Sequence, residues 1–258
     1  MIGKLAFSPA WGAFLVLLFE VGSAAQGISS TPNSTTASIP VSVTETIPPP
    51  LTHYMGREIA QTMHYSGAPW LVREARDREE DCKTLLRVLD LKPGMTVCDL
   101  GCGNGFYTLR VAKAVGPGGK VYAVDIQPEM LDLLAERAEI ENITHFVPIL
   151  GTVVDPKLPE NEFDLILLID VYHEFSHPEH MLRAIRRSLK PNGRLAQVEF
   201  RAEDPNVPIK PEHKMSKEQI LKELNPNGFK LVGQFDGLPW QHVMFFERDQ
   251  GWKPAAGK

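Results

Sequence analysis

From residue 95 onward the apolar residues come in two alternating rhythms. Short apolar runs at 95–100, 120–125, 143–149, 164–170 and 194–200 predict strands, and the amphipathic stretches 106–115, 128–140 and 178–190 between them predict helices. Gly116-Pro117 stops the first of these helices, and Pro128 suits the opening turn of the second, where Met130, Leu131, Leu134 and Ala138 form one buried stripe. Leu165 to Ile169 is apolar at every position, as expected of a central strand covered on both faces. Upstream, Cys82, Leu85, Leu86 and Leu89 repeat at helical spacing and place one more helix on the core. Downstream, Ser216 with Gln219 predicts a capping box and Met215 with Ile220 a hydrophobic staple, so a helix should start at Lys217 and stop before Pro226. The runs Phe229 to Phe235 and His242 to Glu247, on either side of Gly237-Leu238-Pro239, read as a closing antiparallel pair. The pattern is that of an α/β domain, a parallel sheet with helices on its faces and a hairpin at its end.

The first 94 residues follow neither rhythm for long. Lys4, an apolar run from Ala10 to Phe19 and the small residues Gly22-Ser23-Ala24-Ala25 have the order of a secretory signal over residues 1–25. The run is shorter than the ~20 apolar residues needed to cross a bilayer, and Glu20 interrupts it, so no stable membrane span is expected. Export to a periplasmic or secreted location follows, or a cytoplasmic one if the protein starts at Met55 or Met63. Residues 26–50, rich in Ser, Thr and Pro, read as a linker. Residues 51–94, with Tyr54, Arg57, Trp70 and Arg73 to Arg78, read either as a helical lid over the main domain at 95–250 or as an ordinary packing segment.

Composition narrows the partners. Among 258 residues, 43% are apolar and the formal net charge is −5, which argues against broad attraction to the phosphates of nucleic acids. The three cysteines, Cys82, Cys98 and Cys102, have neither disulfide-framework nor metal-type spacing.

The segment richest in chemistry is Val97 to Gly105, V-C-D-L-G-C-G-N-G. A strand ending in Asp99 and turning through Gly101, Gly103 and Gly105 into a helix lets a ligand approach backbone N–H groups, because glycine removes the side chains from the turn. The dinucleotide fingerprint needs a glycine at 106, where Phe106 stands, so nicotinamide and flavin dinucleotides are disfavoured. This segment resembles the first motif of the class I S-adenosylmethionine-dependent methyltransferase family, and the likeness extends over roughly residues 80–247. The resemblance implies a Rossmann-like, mostly parallel seven-stranded sheet and S-adenosyl-L-methionine as cofactor. It implies that Asp99, Gly101, Gly103 and Gly105 hold the methionine part, and that Asp125, with Ile126 beside it, takes the ribose hydroxyls. A carboxylate can accept from both hydroxyls at once. In this family an acidic residue often meets the adenine after the third strand; here the turn is Gly151-Thr152-Val153-Val154-Asp155, which leaves Thr152 and Asp155 as alternatives.

The end of the fourth parallel strand, Asp170-Val171-Tyr172-His173-Glu174-Phe175, is where a methyl acceptor should lie. His173 is the candidate base, Tyr172 a candidate partner, and Asp170 lines the cofactor site or caps the next helix. The same segment carries a rival, since His173-Glu174-Phe175-Ser176-His177 matches the H-E-x-x-H pattern of zinc peptidases. Pro178 biases His177 away from helical geometry, which the pattern needs, so no metal site is assigned. No motif of nucleic-acid methyltransferases follows this strand, and a small-molecule acceptor is expected. A non-catalytic module that kept the cofactor pocket is the other reading.

Overall fold

The computed structural model describes residues 47–254. The signal-like leader and residues 26–46 of the linker lie outside them. The described chain opens with a small hairpin, β1 (His53–Tyr54) and β2 (Arg57–Glu58), followed by a 3-10 stretch, Tyr65–Val72. Two short helices come next, α1 (Arg76–Glu80) and α2 (Cys82–Val88). Asp81 divides them: its backbone is left-handed, at φ 47°, and its carboxylate accepts from the Thr84 N–H to cap α2. Cys82, Leu85 and Leu89 are buried in the core, with Leu86 partly so, as their spacing predicts.

The predicted alternation then appears as β3 (Thr96–Leu100), α3 (Phe106–Val115), β4 (Lys120–Asp125), α4 (Pro128–Glu141), β5 (Phe146–Leu150), β6 (Phe163–Ile169), α5 (Pro178–Ser188) and β7 (Leu189–Arg201). A two-residue β8 (Lys214–Met215), α6 (Lys217–Leu224), β9 (Phe229–Phe235) and β10 (Gln241–Arg248) complete the fold. Seven strands run in the order β5-β4-β3-β6-β7-β10-β9, and β8 pairs with β7 off that path. The first five of that order are parallel, and β10 is antiparallel to both β7 and β9. This is the Rossmann-like sheet with its closing hairpin, and β6 lies in the middle.

Alternation along β6 divides the core between the two faces of the sheet. Leu165 and Leu167 join the cluster of Leu109, Val111 and Leu134, while Ile166 and Leu168 join that of Leu182, Ile185, Ile220 and Leu224. Each such fully buried side chain is worth about 1.5–3 kcal/mol, so a run apolar at every position is what this place in the sheet demands.

Three local expectations change. The strand predicted from 143 starts at Phe146, because left-handed Asn142 closes α4 and the Ile143 N–H bonds back to the Ala138 carbonyl. The expected turn Lys190-Pro191-Asn192-Gly193 is a bulge inside β7, where two steps along β6 face five along β7. The capping box at α6 is one-sided: Ser216 accepts from the Gln219 N–H at 3.1 Å, but the Gln219 amide donates to Met55 O and to Glu223 instead.

The chain runs from β3 outward through β4 and β5, then returns to place β6 on the other side of β3. That reversal opens a crevice at the carboxyl ends of the strands, the place where open α/β sheets bind ligands.

Candidate active site

A cavity of about 590 Å³ fills that crevice. Its floor is the turn after β3. Gly101, Gly103 and Gly105 all have positive φ, at 78°, 52° and 79°. A Cβ at Gly101 would stand 2.3 Å from Val171 Cγ2, and one at Gly105 would stand 2.2 Å from Leu134 Cδ1. Only glycine satisfies both the backbone conformation and the space. The Gly101 and Cys102 N–H groups both donate to the Val124 carbonyl, which ties the turn to β4.

Asp125 ends β4 and faces the cavity, its Oδ2 accepting from the Gly103 N–H and its Oδ1 from the Gln127 N–H, each at 2.9 Å. Burial raises its pKa, against the pull of those two N–H groups. Asp99 lies beneath the turn and off the cavity wall, its Oδ2 accepting from the Thr108 hydroxyl at 2.6 Å; burial raises its pKa to about 6. Gly101, Gly103, Ile126 and Asp170 line the cavity, and Gly105 serves instead to start α3. Of the two residues left open for the adenine, Thr152 lines the cavity and Asp155 does not. The Thr152 hydroxyl is already engaged with the backbone of Asp155.

The segment before α1 walls the cavity beside the turn, where a Cβ at Gly103 would stand 2.6 Å from Leu71 Cδ1. The Gln127 side chain donates to Met63 O and accepts from the Tyr65 N–H, both at 2.8 Å, and the Asn104 amide donates to Ala68 O at 3.0 Å. Arg76 is buried there. Its Nε donates to Glu80 at 2.8 Å and its Nη1 to Leu71 O at 2.8 Å, and its guanidinium lies 4.2 Å from the Phe106 ring centroid.

The end of β6 supplies the polar wall. Asp170 leaves the strand with φ 54°; its Oδ2 accepts from the Gln241 amide, and its buried Oδ1 has no partner. Burial, reinforced by the charges of Glu80 and Glu199, holds its carboxyl well above the usual carboxylate range. His173 is almost fully buried, and its Nδ1 lies 2.6 Å from Glu199 Oε2. Glu199 accepts from the Tyr172 N–H and the Gln197 amide as well. A carboxylate only accepts, so the His173 proton sits on Nδ1 and the Nε2 lone pair faces His213. Nε2 lies 3.1 Å from His213 Nδ1. Burial lowers the His173 pKa, but Glu199 outweighs it and the net shift is upward. Burial also pushes Glu174 to about 7 and lowers His213.

Two residues of this segment go elsewhere. Tyr172 is fully buried off the cavity, its hydroxyl donating to Glu223 at 2.8 Å. His177 has non-helical backbone, and both ring nitrogens are engaged, with Ser176 Oγ and Pro48 O. The peptidase pattern is therefore not built: the helix starts only at Pro178, after both histidines.

The methyltransferase-domain family matches residues 91–245. The chain belongs to the class I, S-adenosylmethionine-dependent methyltransferases. A "SAM dependent methyltransferase" from Aquifex aeolicus is 28% identical, with a TM-score of 0.68, over 72% of this chain and 98% of that one. A "2-phytyl-1,4-naphtoquinone methyltransferase" of Trichormus variabilis is 34% identical over 110 residues, 42% of this chain. A "demethylmenaquinone methyltransferase" of Lactobacillus johnsonii is 30% identical over 152 residues, 58% of this chain. The chain spans 48% and 60% of the lengths of these two curated relatives.

S-adenosylmethionine is the cofactor of this family, and the site fits it. The glycine turn leaves a cradle that a Cβ would fill, Asp125 faces the cavity, and the orphaned Asp170 Oδ1 offers an acceptor where a cationic ligand adds charge. Sequence reasoning missed Glu199 and His213, and named Arg76 only as part of the basic run Arg73 to Arg78 in the candidate lid. Glu199 had one signal, a charge inside the otherwise buried run of β7; His213 had none.

Proposed function

We propose that this protein transfers a methyl group from S-adenosylmethionine to a small, largely apolar acceptor carrying a proton-bearing polar group. The observation that carries the reading is one cavity lined both by the glycine turn with Asp125 and by His173, whose Nδ1 is held by Glu199 and whose Nε2 lies beside His213. The sulfonium is an activated leaving group, so holding acceptor and methyl in line away from water supplies most of the rate. In this reading Gly101 and Gly103 give the methionine part access to backbone N–H groups, Asp125 takes the ribose, and Ile126 and Thr152 border the adenine. Asp170 lies on the cationic side of the cofactor. His173, oriented by Glu199, meets the polar group of the acceptor. Leu71, Met63 and Trp70 cover the cavity as a lid, and their apolar surfaces, with Phe200 and Ile209, favour an acceptor with an apolar body. The names of the two curated relatives make naphthoquinones the first compounds to try.

The test is transfer of isotope-labelled methyl from the cofactor to a panel of reduced naphthoquinones and simple phenols, beside calorimetry with the cofactor alone. Micromolar cofactor binding with a labelled product is the expected result. Binding without transfer to any compound, or to a cell extract, would leave a cofactor-binding module. Failure to bind would end the reading. Export through the leader belongs to the same proposal, and amino-terminal sequencing of the native protein tests it: a start near Gln26 supports export and one at Met55 removes it.

A further inference from the structure

Resting on the methyltransferase reading, and with His173 meeting the acceptor through a bound ion in place of direct contact, we propose that His173, Glu174 and His213 hold a divalent transition cation of the Zn²⁺ class, whose open position takes the acceptor's oxygen. Three donor atoms, one from each residue, lie within 4.8 Å of one another, and all three residues line the cavity. His173 Nε2 is 3.1 Å from His213 Nδ1 and 4.0 Å from Glu174 Oε1. Ligands about 2.0–2.2 Å from one zinc ion in a tetrahedral site stand roughly 3.4 Å apart, so these separations bracket what one ion requires.

Glu199 is the second, independent observation. It is fully buried, accepts three hydrogen bonds, and takes the Nδ1 proton of His173, which fixes the ring with its Nε2 electron pair toward His213 and Glu174. A carboxylate behind the far nitrogen of a histidine is the recurring support of a metal ligand, because it sets the tautomer and raises the basicity of the ligating nitrogen. The His173 and His213 rings meet edge to face, at 89°, with Nε2 and Nδ1 3.1 Å apart, so the two nitrogens face each other instead of stacking, and binding an ion there displaces the proton that joins them in the metal-free protein. Two imidazoles and one carboxylate favour a borderline cation over Mg²⁺ or Ca²⁺, which prefer all-oxygen shells. Three protein ligands leave one position free, the arrangement of a catalytic site and not a structural one. A hydroxyl bound there loses its proton to solvent more readily, because the cation stabilises the oxyanion. This cluster is distinct from the H-E-x-x-H pattern: its second histidine comes from the 3-10 turn Pro211–His213, forty residues on, and His177 takes no part.

The experiment is calorimetric titration of the chelator-stripped full chain with ZnCl₂, followed by absorption spectroscopy of the Co²⁺ form. One ion per chain is expected. His213→Ala should weaken uptake at least about 10-fold and shift the visible Co²⁺ bands, and Glu199→Gln should weaken it about 10–100-fold, the usual cost of losing such a support. Cofactor affinity should stay the same in both variants. His213 is only half-buried on a short turn, so its truncation leaves the core intact; Glu174→Gln is the parallel variant, and far-ultraviolet circular dichroism checks folding. No uptake of either ion, or uptake that neither His213→Ala nor Glu174→Gln changes, overturns the proposal. Full turnover in excess chelator overturns the role given to the ion and leaves the methyltransferase reading standing. Loss of cofactor binding in the unaltered chain strikes that reading instead.

Discussion

The two ends of the cavity are built from different material. The cofactor end is mostly backbone: a turn of three glycines, N–H groups that bond to Asp125, and carbonyls that fix the turn on β4, all within residues 99–127. The end proposed for the acceptor is side chains brought from far apart, with His173 and Glu174 after β6, Glu199 on β7 and His213 on a later turn. The first end depends on local conformation, so almost any added atom breaks it. The second depends on the positioning of side chains, so it can change while the fold and the cofactor site persist. The difference teaches which end tolerates substitution: side chains at the second can be exchanged while the glycine turn and the fold stand.

The strongest way to break this comparison is at the turn. Gly101→Val adds carbons where Val171 already stands and forces a branched residue to φ 78°, a conformation costing about 1–3 kcal/mol before any clash. Cofactor binding should fall by at least about 100-fold in calorimetry. At the other end, His173→Asn should lower methyl transfer by about 100-fold or more and leave cofactor affinity within a few-fold. A parallel loss of cofactor affinity would show that the two ends are one unit. Asp125→Ala removes the carboxylate proposed to take the ribose hydroxyls, and charge-assisted bonds of that kind are worth about 1.5–3 kcal/mol, so cofactor affinity should drop about 10–100-fold. The bonds from the Gly103 and Gln127 N–H groups are lost with it, so the domain should melt several degrees lower and still fold.

Smaller effects sharpen the boundary. Tyr172→Phe deletes a hydroxyl that serves Glu223 and not the cavity. Transfer should stay within a few-fold, with stability lower by about 1–2 kcal/mol in a denaturant titration. Asp99→Asn tests the support beneath the turn. Burial raises the folded pKa of Asp99 to about 6, so in the folded protein its carboxyl favours the protonated form. Its contribution to stability is therefore most favourable below the unfolded value near 4 and is lost as pH rises through 6. Asp99→Asn should melt a few degrees higher at pH 7, and the gain should vanish near pH 4.

What was legible in the sequence follows the same division. The all-apolar run of β6 announced the middle of the sheet because only a strand covered on both faces has no use for a polar residue. The glycine spacing and Asp125 were legible as a turn with a carboxylate beside it because a tight turn places its chemical demand on nearby residues. Tyr172 shows where such reading fails. It adjoins His173 in the chain, yet the 3-10 turn at Tyr172–Glu174 sends the two side chains apart, one into the core against Glu223 and one toward the cavity. The bulge at Lys190 to Gly193 has the residues of a plain turn, because its pairing with β6 is a fact of the neighbouring strand.

The sequence by itself determined the α/β alternation, the central strand, the glycine turn and the carboxylate at the end of β4, since each is a property of residues a few positions apart. Only the tertiary structure decided that Glu199 stands behind His173, that His213 and Glu174 converge on the same nitrogen, and that Arg76, Met63 and Trp70 wall the cavity. The physical reason is that a hydrogen bond or a shared ligand acts over about 3 Å in space, and residues 26 and 40 positions from His173 reach that distance only once β6, β7 and the following turn have packed.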